Sequence, residues 1–123
     1  MQPDDRLDAW GVCHELVVAV YRATGAWPLA ELQGLAAQAR RAAFNAALYV
    51  ADDPPLYDLE RRRLRLGQAL ASLVQVGYAL LLAHELGVVG VDDWQSLDRL
   101  RHRAEELIRA LVSLAGAPPR LLR

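Results

Sequence analysis

The sequence contains no lysine and only one cysteine, and each of these scarcities excludes a class of protein. All 14 basic residues are arginine and they face 15 acidic residues, so the formal net charge is −1 and the isoelectric point is near 6.3. A strongly basic nucleic-acid-binding domain would have an isoelectric point above about 9. Cys13 alone can form neither an internal disulfide framework nor a multi-cysteine zinc site.

Sequence motifs that carry chemistry are also missing. The chain has no Walker or GxGxxG phosphate loop, and it has neither the GxSxG nor the HExxH pattern of hydrolases. The triplet His-Glu-Leu occurs at 14–16 and at 84–86, but neither copy is followed by the second histidine that a zinc protease needs. We therefore predict no enzymatic activity, no catalytic residues, no metal site, no cofactor and no small-molecule substrate.

The composition that remains is typical of a folded helical domain. Hydrophobic residues make up 54% of the chain and charged residues 24%, which excludes an intrinsically disordered protein. A length of 123 residues predicts one domain, 1–123, with a core large enough to need no disulfide or metal. The start at Gln2, Pro3, Asp4 and Asp5 lacks the basic residues of a signal peptide, so we expect a cytoplasmic protein.

Four long segments rich in Leu, Ala and Arg repeat their apolar residues at helical spacing, and strand signals are nearly absent. Turn residues separate them: Gly25, the acidic and proline-rich stretch 52–55, Gly87 with Gly90, and Gly116. In that stretch, Asp53 is placed to cap the third helix. The sequence predicts helices at about 5–24, 29–51, 54–86 and 92–115. Short connections between them predict an all-α, antiparallel, up-down-up-down four-helix bundle.

The periodicity also predicts which side of each helix faces inward. The predicted inner stripe of the first helix is Leu7, Trp10, His14, Val17, Val18 and Tyr21. That of the second helix is Leu32, Leu35, Ala36, Ala39, Ala42, Ala43, Ala46 and Ala47. That of the fourth helix is Leu97, Leu100, Ala104, Leu107, Leu111 and Leu114. Pairs of opposite charge four residues apart on the fourth helix, Asp98–His102, Arg101–Glu105 and Glu105–Arg109, predict a solvated, self-neutralised face.

The third helix is unusually apolar, because the eighteen residues 66–83 carry no charge. That length is at the lower edge of a membrane span, but Gln68, Ser72 and Gln75 form a polar stripe and no second apolar run occurs. A helix that is apolar nearly all round is buried on two sides, here by its own bundle and by a neighbouring subunit. We therefore predict a homo-oligomer, no membrane partner, and an interface at Leu73, Val76 and Leu80. A deep monomer core is the alternative.

Four arginines are poorly neutralised within their own helices. Arg40 and Arg41 have no acidic residue four positions away, and Arg61 and Arg65 form a like-charge pair. Such guanidinium groups are candidates to contact phosphate, as in RNA or DNA, or an acidic partner. The alternative is that they pair with acidic residues on other helices or subunits.

A series of short motifs resembles the four helix bundle protein family, whose members are encoded in intervening sequences of bacterial 23S rRNA genes and elsewhere. Its first part comprises Trp10, residues 15–18 and 20–22, Trp27-Pro28, Glu31, Gly34-Leu35, Gln38 and residues 40–43. Its second part comprises residues 71–73, 80–83 and 85–87. The chain departs from the family at Ala47, where a proline is usual, and at residues 49–53.

The resemblance implies an antiparallel four-helix bundle that assembles into a homopentamer. A related branch is the accessory variability protein of diversity-generating retroelements, a pentamer that binds a reverse transcriptase and RNA. The expected function is thus a self-assembling adaptor that contacts nucleic acid or a ribonucleoprotein through arginine clusters. The alternative is a retroelement accessory factor that binds its reverse transcriptase and RNA.

Overall fold

The computed structural model describes residues 3–31, 34–52, 54–55 and 57–116, and throughout these residues the regular structure is helical. Helix α1 spans Pro3–Thr24, α2 spans Leu35–Ala51, α3 spans Leu59–Glu85 and α4 spans Val91–Gly116. A single 3-10 turn at Leu29–Glu31 lies between α1 and α2.

The four helices enclose one core, since each packs against the next and α4 packs back against α1. Arg6, near the start of α1, donates hydrogen bonds to the carbonyls of Val50 (3.1 Å) and Ala51 (2.6 Å) at the end of α2. These carbonyls have no partner within their own helix, so the arginine caps α2 and complements its dipole. The start of α1 therefore lies beside the end of α2, consistent with an up-down-up-down four-helix bundle.

Two helices begin later than the sequence predicts. Helix α2 begins at Leu35 rather than at residue 29, because the chain first makes the 3-10 turn and then Gly34 donates to the carbonyl of Glu31 (3.1 Å). Helix α3 begins at Leu59 rather than at residue 54. Its cap is Asp58, whose carboxylate accepts a hydrogen bond from the backbone N–H of Arg61 (3.1 Å). The predicted cap Asp53 lies outside the described residues.

The end of α3 has a specific backbone signature. Gly87 has a φ of +77°, in the left-handed region that a residue without Cβ adopts at low cost. The N–H of Gly87 donates to the carbonyl of His84 (3.0 Å), and that of Val88 donates to the carbonyl of Ala83 (2.8 Å). This pair of bonds is a Schellman motif, which ends the helix and turns the chain toward α4.

The core-facing side of α2 is the predicted alanine stripe. Five of its predicted residues are buried, and Val50 extends the buried stripe toward the end of the helix: Ala36, Ala39, Ala42, Ala43 and Ala46. Leu35 and Ala47 are half-buried at its edges, and Leu32 lies outside the described residues. Small side chains on this side let α1 and α3 approach α2 closely.

The core-facing side of α1 differs from the prediction. Leu7, Trp10 and Tyr21 of the predicted stripe are exposed, and His14 is exposed beside Trp10. The buried residues are instead Ala9, Val12, Cys13, Leu16 and Val20. Both stripes repeat at helical spacing, so periodicity alone does not choose between them. Val17 and Val18 of the predicted stripe are half-buried at its edge, and its aromatic side chains remain outside.

The core-facing side of α4 agrees with the predicted one at Leu97, Ala104 and Leu111 and differs from it at the other predicted positions. The buried stripe is Leu97, Arg101, Ala104, Ile108 and Leu111, in which the arginine is largely buried. Leu100 and Leu107 are only half-buried, and Leu114 is exposed. The prediction followed the leucines, which repeat at steps of three and four residues. Leu100 and Leu107 directly precede Arg101 and Ile108 in the sequence, so a stripe through either set has helical spacing.

Candidate interaction surfaces

The predicted interface residues of α3 are not at the surface. Leu73, Val76 and Leu80 are fully buried inside this single chain, so they cannot touch a neighbouring subunit, and this prediction is wrong. They lie on the side of α3 that packs against the bundle. The exposed large apolar residues of α3 lie elsewhere on the same helix: Leu59, Leu64, Val74, Tyr78 and Leu81.

The first exposed apolar surface lies between α2 and α3 and is called here the α2–α3 groove. It is lined by Leu35, Gln38, Val74, Gln75, Tyr78, Ala79 and Leu82. Val74 is 58% exposed and Tyr78 is 66% exposed. None of the lining side chains is acidic or basic, so a partner that covered the groove would bury no unpaired charge.

The second exposed apolar surface lies between α1 and α2 and is called here the α1–α2 face. It is lined by Trp10, His14, Val17, Phe44, Ala47, Leu48 and Ala51. Phe44 is 49% exposed and Leu48 is 52% exposed. The rings of Trp10 and His14 stack with their centroids 5.1 Å apart and their planes 9° apart, which fixes a flat aromatic edge beside α2.

The two surfaces lie on opposite flanks of α2 and at different heights. Leu35 and Gln38 belong to the first turns of α2, whereas Phe44 and Leu48 belong to its second half. At a rise of 1.5 Å per residue, their centres are separated by about 14 Å along the helix axis. The α2 helix thus buries its alanine stripe and leaves an apolar surface on each side.

Arg40, a predicted contact for phosphate, instead connects α2 to the end of α1. Its Nε donates to the hydroxyl of Thr24 (2.7 Å), which itself donates to the carbonyl of Val20 (2.7 Å). Its guanidinium also donates to the backbone carbonyl of Tyr21 (3.4 Å) and lies 4.9 Å from the centroid of the Tyr21 ring. A cation at the carboxyl end of α1 complements the helix dipole, so this arginine has a structural role.

Arg61 and Arg65 share one acidic neighbour. Arg65 Nε lies 2.5 Å from Asp52 Oδ2, and Arg61 lies 4.0 Å from the same oxygen, so the carboxylate at the end of α2 pairs with both. Arg65 also donates to Gln68 (3.0 Å). Arg61 keeps about half of its side-chain surface exposed, at 49%. The alternative of pairing with an acid outside their own helix therefore holds for both arginines.

The four predicted arginines do not form one cluster. Arg61 and Arg65 lie around Asp52 at the end of α2, whereas Arg40 lies beside the end of α1, at the opposite end of the bundle. Arg41 is exposed and follows Arg40 on α2. Any contact with phosphate would thus involve separate sites.

An ionic cluster on α4 is more buried than the sequence predicts. Arg101 Nε lies 2.7 Å from Asp98 Oδ1, and its NH1 lies 3.1 Å from Glu105 Oε1. The side chains of Arg101 and Glu105 are only 16% and 10% exposed, so this is not the predicted solvated face. The hydrogen bond to Asp98 raises the pKa of Arg101, although burial acts in the opposite direction. The predicted Arg101–Glu105 pair is confirmed.

Groups that could support chemistry lie apart from one another in the described residues. Cys13 is fully buried, and burial raises the pKa of its thiol to about 12, so it does not form a nucleophilic thiolate at neutral pH. His84 stacks on Trp94 with centroids 4.2 Å apart. Across the described ranges, no three histidine, cysteine or acidic side chains come together in a way that would hold a metal ion.

Among the described helices, only α3 is long and apolar enough to cross a membrane, by length and composition. Its most apolar window has a mean hydropathy of 1.6, and 44% of that window is buried inside the protein. A buried core helix of a soluble bundle passes the same test, so this single helix is weak evidence for a span.

The described residues define the class of the protein as all-helical, with four helices packed around one core. Comparison with protein-family models finds no match, and comparison with curated proteins finds none either. The resemblance to the four helix bundle protein family therefore stays a prediction.

Proposed function

We propose that this protein is a non-enzymatic adaptor that assembles with copies of itself and presents its charged surfaces to a partner. The observation that carries the proposal is the pair of uncharged apolar surfaces that flank α2. The family resemblance makes a ring-shaped homopentamer the expected assembly. Self-assembly is the part of the proposal that the geometry supports best.

The cost of leaving these surfaces in water supports assembly. Fully burying a Leu, Val or Phe side chain contributes about 1.5–3 kcal/mol, and three such side chains on the two surfaces are about half exposed or more: Phe44, Leu48 and Val74. Tyr78, at 66% exposed, adds the apolar surface of its ring. On soluble proteins, contiguous exposed apolar patches larger than a few hundred Å² mark interaction sites. The core of the described residues does not include these side chains, so a second copy that covers them would be stabilised by their burial.

The nucleic-acid part of the proposal depends on the arginines that keep exposed surface. Arg41 is exposed on α2, and Arg61 is half exposed despite its partner Asp52. Assembly would repeat each site once per subunit, so weak phosphate contacts would add through avidity. A net charge of −1 per chain gives little long-range attraction for a polyanion, so we expect weak and salt-sensitive binding.

Light scattering coupled to size-exclusion chromatography tests the assembly directly. A chain of 13.6 kDa that assembles elutes with a mass that is a multiple of this value at micromolar concentration, and five-fold for the expected ring. A stable species of 13.6 kDa at these concentrations would overturn the proposal. Nuclease treatment of the sample before the measurement separates self-association from association through bound nucleic acid.

A further inference from the structure

We propose that the α1–α2 face binds an amphipathic helix of a partner protein, one that carries an apolar stripe with acidic residues at one end. This inference rests on the adaptor part of the proposed function and names the chemistry of the partner. It does not require that copies of this chain assemble. Phe44 and Leu48 are the apolar contacts, and Arg40 and Arg41 are the residues that select an acidic partner.

The charges on the α2 side of this face are of one sign. Helix α2 carries Arg40 and Arg41 and has no acidic residue over its whole length, Leu35–Ala51. The residues that line the face include no acidic one on either helix. Since Arg41 and Arg40 lie three and four residues before Phe44, both are its neighbours on the surface of α2. An acidic partner is therefore attracted to this face, and a basic one is repelled.

Neither of these arginines is neutralised by a carboxylate of the described residues. Arg41 is exposed and has no acidic partner there. Arg40 is held in place by the hydroxyl of Thr24 (2.7 Å) and the backbone carbonyl of Tyr21 (3.4 Å), which are both uncharged acceptors. The arginines around Asp52 differ, because they already share a carboxylate. The positive charge beside the α1–α2 face is thus available to a partner.

The face also has the dimensions of a helix-binding groove. From Arg40 to Ala51, α2 rises about 16 Å, which is about three helical turns. Helix α1 runs antiparallel beside it, since Arg40 contacts Tyr21 and Arg6 contacts Ala51. The two arginines therefore mark one end of the face, and apolar side chains fill the rest. Amphipathic helices dock by laying their apolar stripe in such a groove.

Single-stranded nucleic acid is the other anionic candidate for this face. Such strands bind by stacking their bases on exposed aromatic rings. Here the ring of Trp10 already stacks on His14, with centroids 5.1 Å apart. Apart from Phe44, the rest of the lining is aliphatic: Val17, Ala47, Leu48 and Ala51. This mixture of aliphatic surface and cations at one end fits an apolar stripe with an acidic end better than it fits a polyanion.

The test uses three fluorescent peptides, each covalently stapled as a helix of about three turns. The first has leucine and tryptophan along one side and glutamates in its first turn. The second has lysines in place of the glutamates, and the third has the composition of the first with its apolar residues scattered around the helix. Fluorescence anisotropy measures their binding to the whole chain at low and at physiological salt. We expect the glutamate peptide to bind about tenfold more tightly than either of the others.

Each part of the face has its own variant. Phe44→Glu places a charge in the apolar contact and should weaken binding of the glutamate peptide about tenfold or more. Arg41→Glu, at an exposed position, should reverse the preference in favour of the lysine peptide. Val74→Glu in the α2–α3 groove is the control for an added charge at an exposed apolar position, and Arg99→Glu on α4 is the control for charge reversal. Both controls should bind like the wild type, and far-UV circular dichroism with thermal unfolding checks that every variant is folded.

The outcomes separate this inference from the proposed self-assembly. A monomeric wild type that binds the glutamate peptide with the expected preference overturns self-assembly and supports the inference. If no peptide binds, if all three bind equally, or if Val74→Glu weakens binding as much as Phe44→Glu, the inference is overturned. If Phe44→Glu dissociates an assembled wild type in light scattering, a second copy occupies the face, and the inference is overturned while self-assembly stands. Tighter binding of labelled single-stranded RNA than of the glutamate peptide, lost in Phe44→Glu, overturns it in favour of nucleic acid.

Discussion

Gly77 of α3 leaves the space in which the side chain of Arg101 crosses from α4. A Cβ at position 77 would lie 2.9 Å from Nε of Arg101 and 3.0 Å from its Cδ, distances that real Cβ atoms rarely show. The guanidinium is held there by Asp98 and Glu105 on its own helix. A glycine within one helix thus accommodates a buried cation on the next.

This relationship predicts different effects for two otherwise equivalent glycine substitutions in α3. Gly67→Ala meets no neighbouring atom within 4 Å and should raise the free energy of unfolding by about 0.5–1 kcal/mol, the usual advantage of alanine inside a helix. Gly77→Ala should gain less or destabilise, because the Arg101 side chain must shift to make room for the Cβ. Urea unfolding of both variants measures the difference, and equal stabilisation would contradict the prediction.

A second comparison tests the register of α4. Ile108 is fully buried, so Ile108→Ala should cost about 2–5 kcal/mol of unfolding free energy. Leu107 is only half-buried, and Leu107→Ala should cost clearly less, although the leucine pattern of the sequence places it in the core. Chemical denaturation of the two variants decides between the registers. A larger loss for Leu107→Ala would restore the register that the sequence pattern favours.

The helices could be predicted from sequence because periodic apolar residues and turn residues agree on where they lie. The sequence could not predict which apolar stripe of α1 faces inward, because the stripe with Trp10 and the stripe with Leu16 have the same period. In α4 the charge of Arg101 concealed a core position. Spacing predicts its pair with Glu105, but the burial of that pair depends on how α4 packs against the other helices. The pairing of Arg61 and Arg65 with Asp52 depends on how α2 meets α3, which local spacing does not encode.

The buried thiol of Cys13 should be unreactive in the native protein. Thiol reagents attack the thiolate, and burial both raises the pKa to about 12 and blocks access. We expect modification by a thiol-reactive dye at pH 8 to be slow in buffer and rapid in denaturant. Rapid stoichiometric labelling of the folded chain would show that α1 opens locally and would contradict this prediction.

The same shift makes stability depend on alkaline pH. The folded thiol titrates near 12, whereas an ordinary thiol titrates near 9, so above pH 9 the unfolded chain loses the proton first and is favoured. The contribution of Cys13 is therefore intact below pH 9 and is lost progressively as the pH rises toward 12. Wild type should lose more stability over this range than Cys13→Ala, when thermal unfolding is followed at each pH. Parallel curves for the two proteins would contradict the assignment.

Asp52 lies between Arg65 and Arg61 and therefore competes with phosphate for both guanidinium groups. If these arginines contact nucleic acid, Asp52→Asn should raise the affinity for single-stranded RNA at low salt, because it removes the internal competitor without changing the side-chain shape. The double variant Arg61→Ala, Arg65→Ala should lower both the affinity and its salt dependence, since fewer counterions are released on binding. Fluorescence anisotropy over a range of salt concentrations measures both quantities.

Arg99→Ala, at an exposed position on α4, is the control for lost positive charge. Equal weakening by the control would show that charge alone governs binding. If neither the wild type nor Asp52→Asn binds at low salt, the nucleic-acid part of the proposal is wrong. The adaptor would then be a protein–protein scaffold.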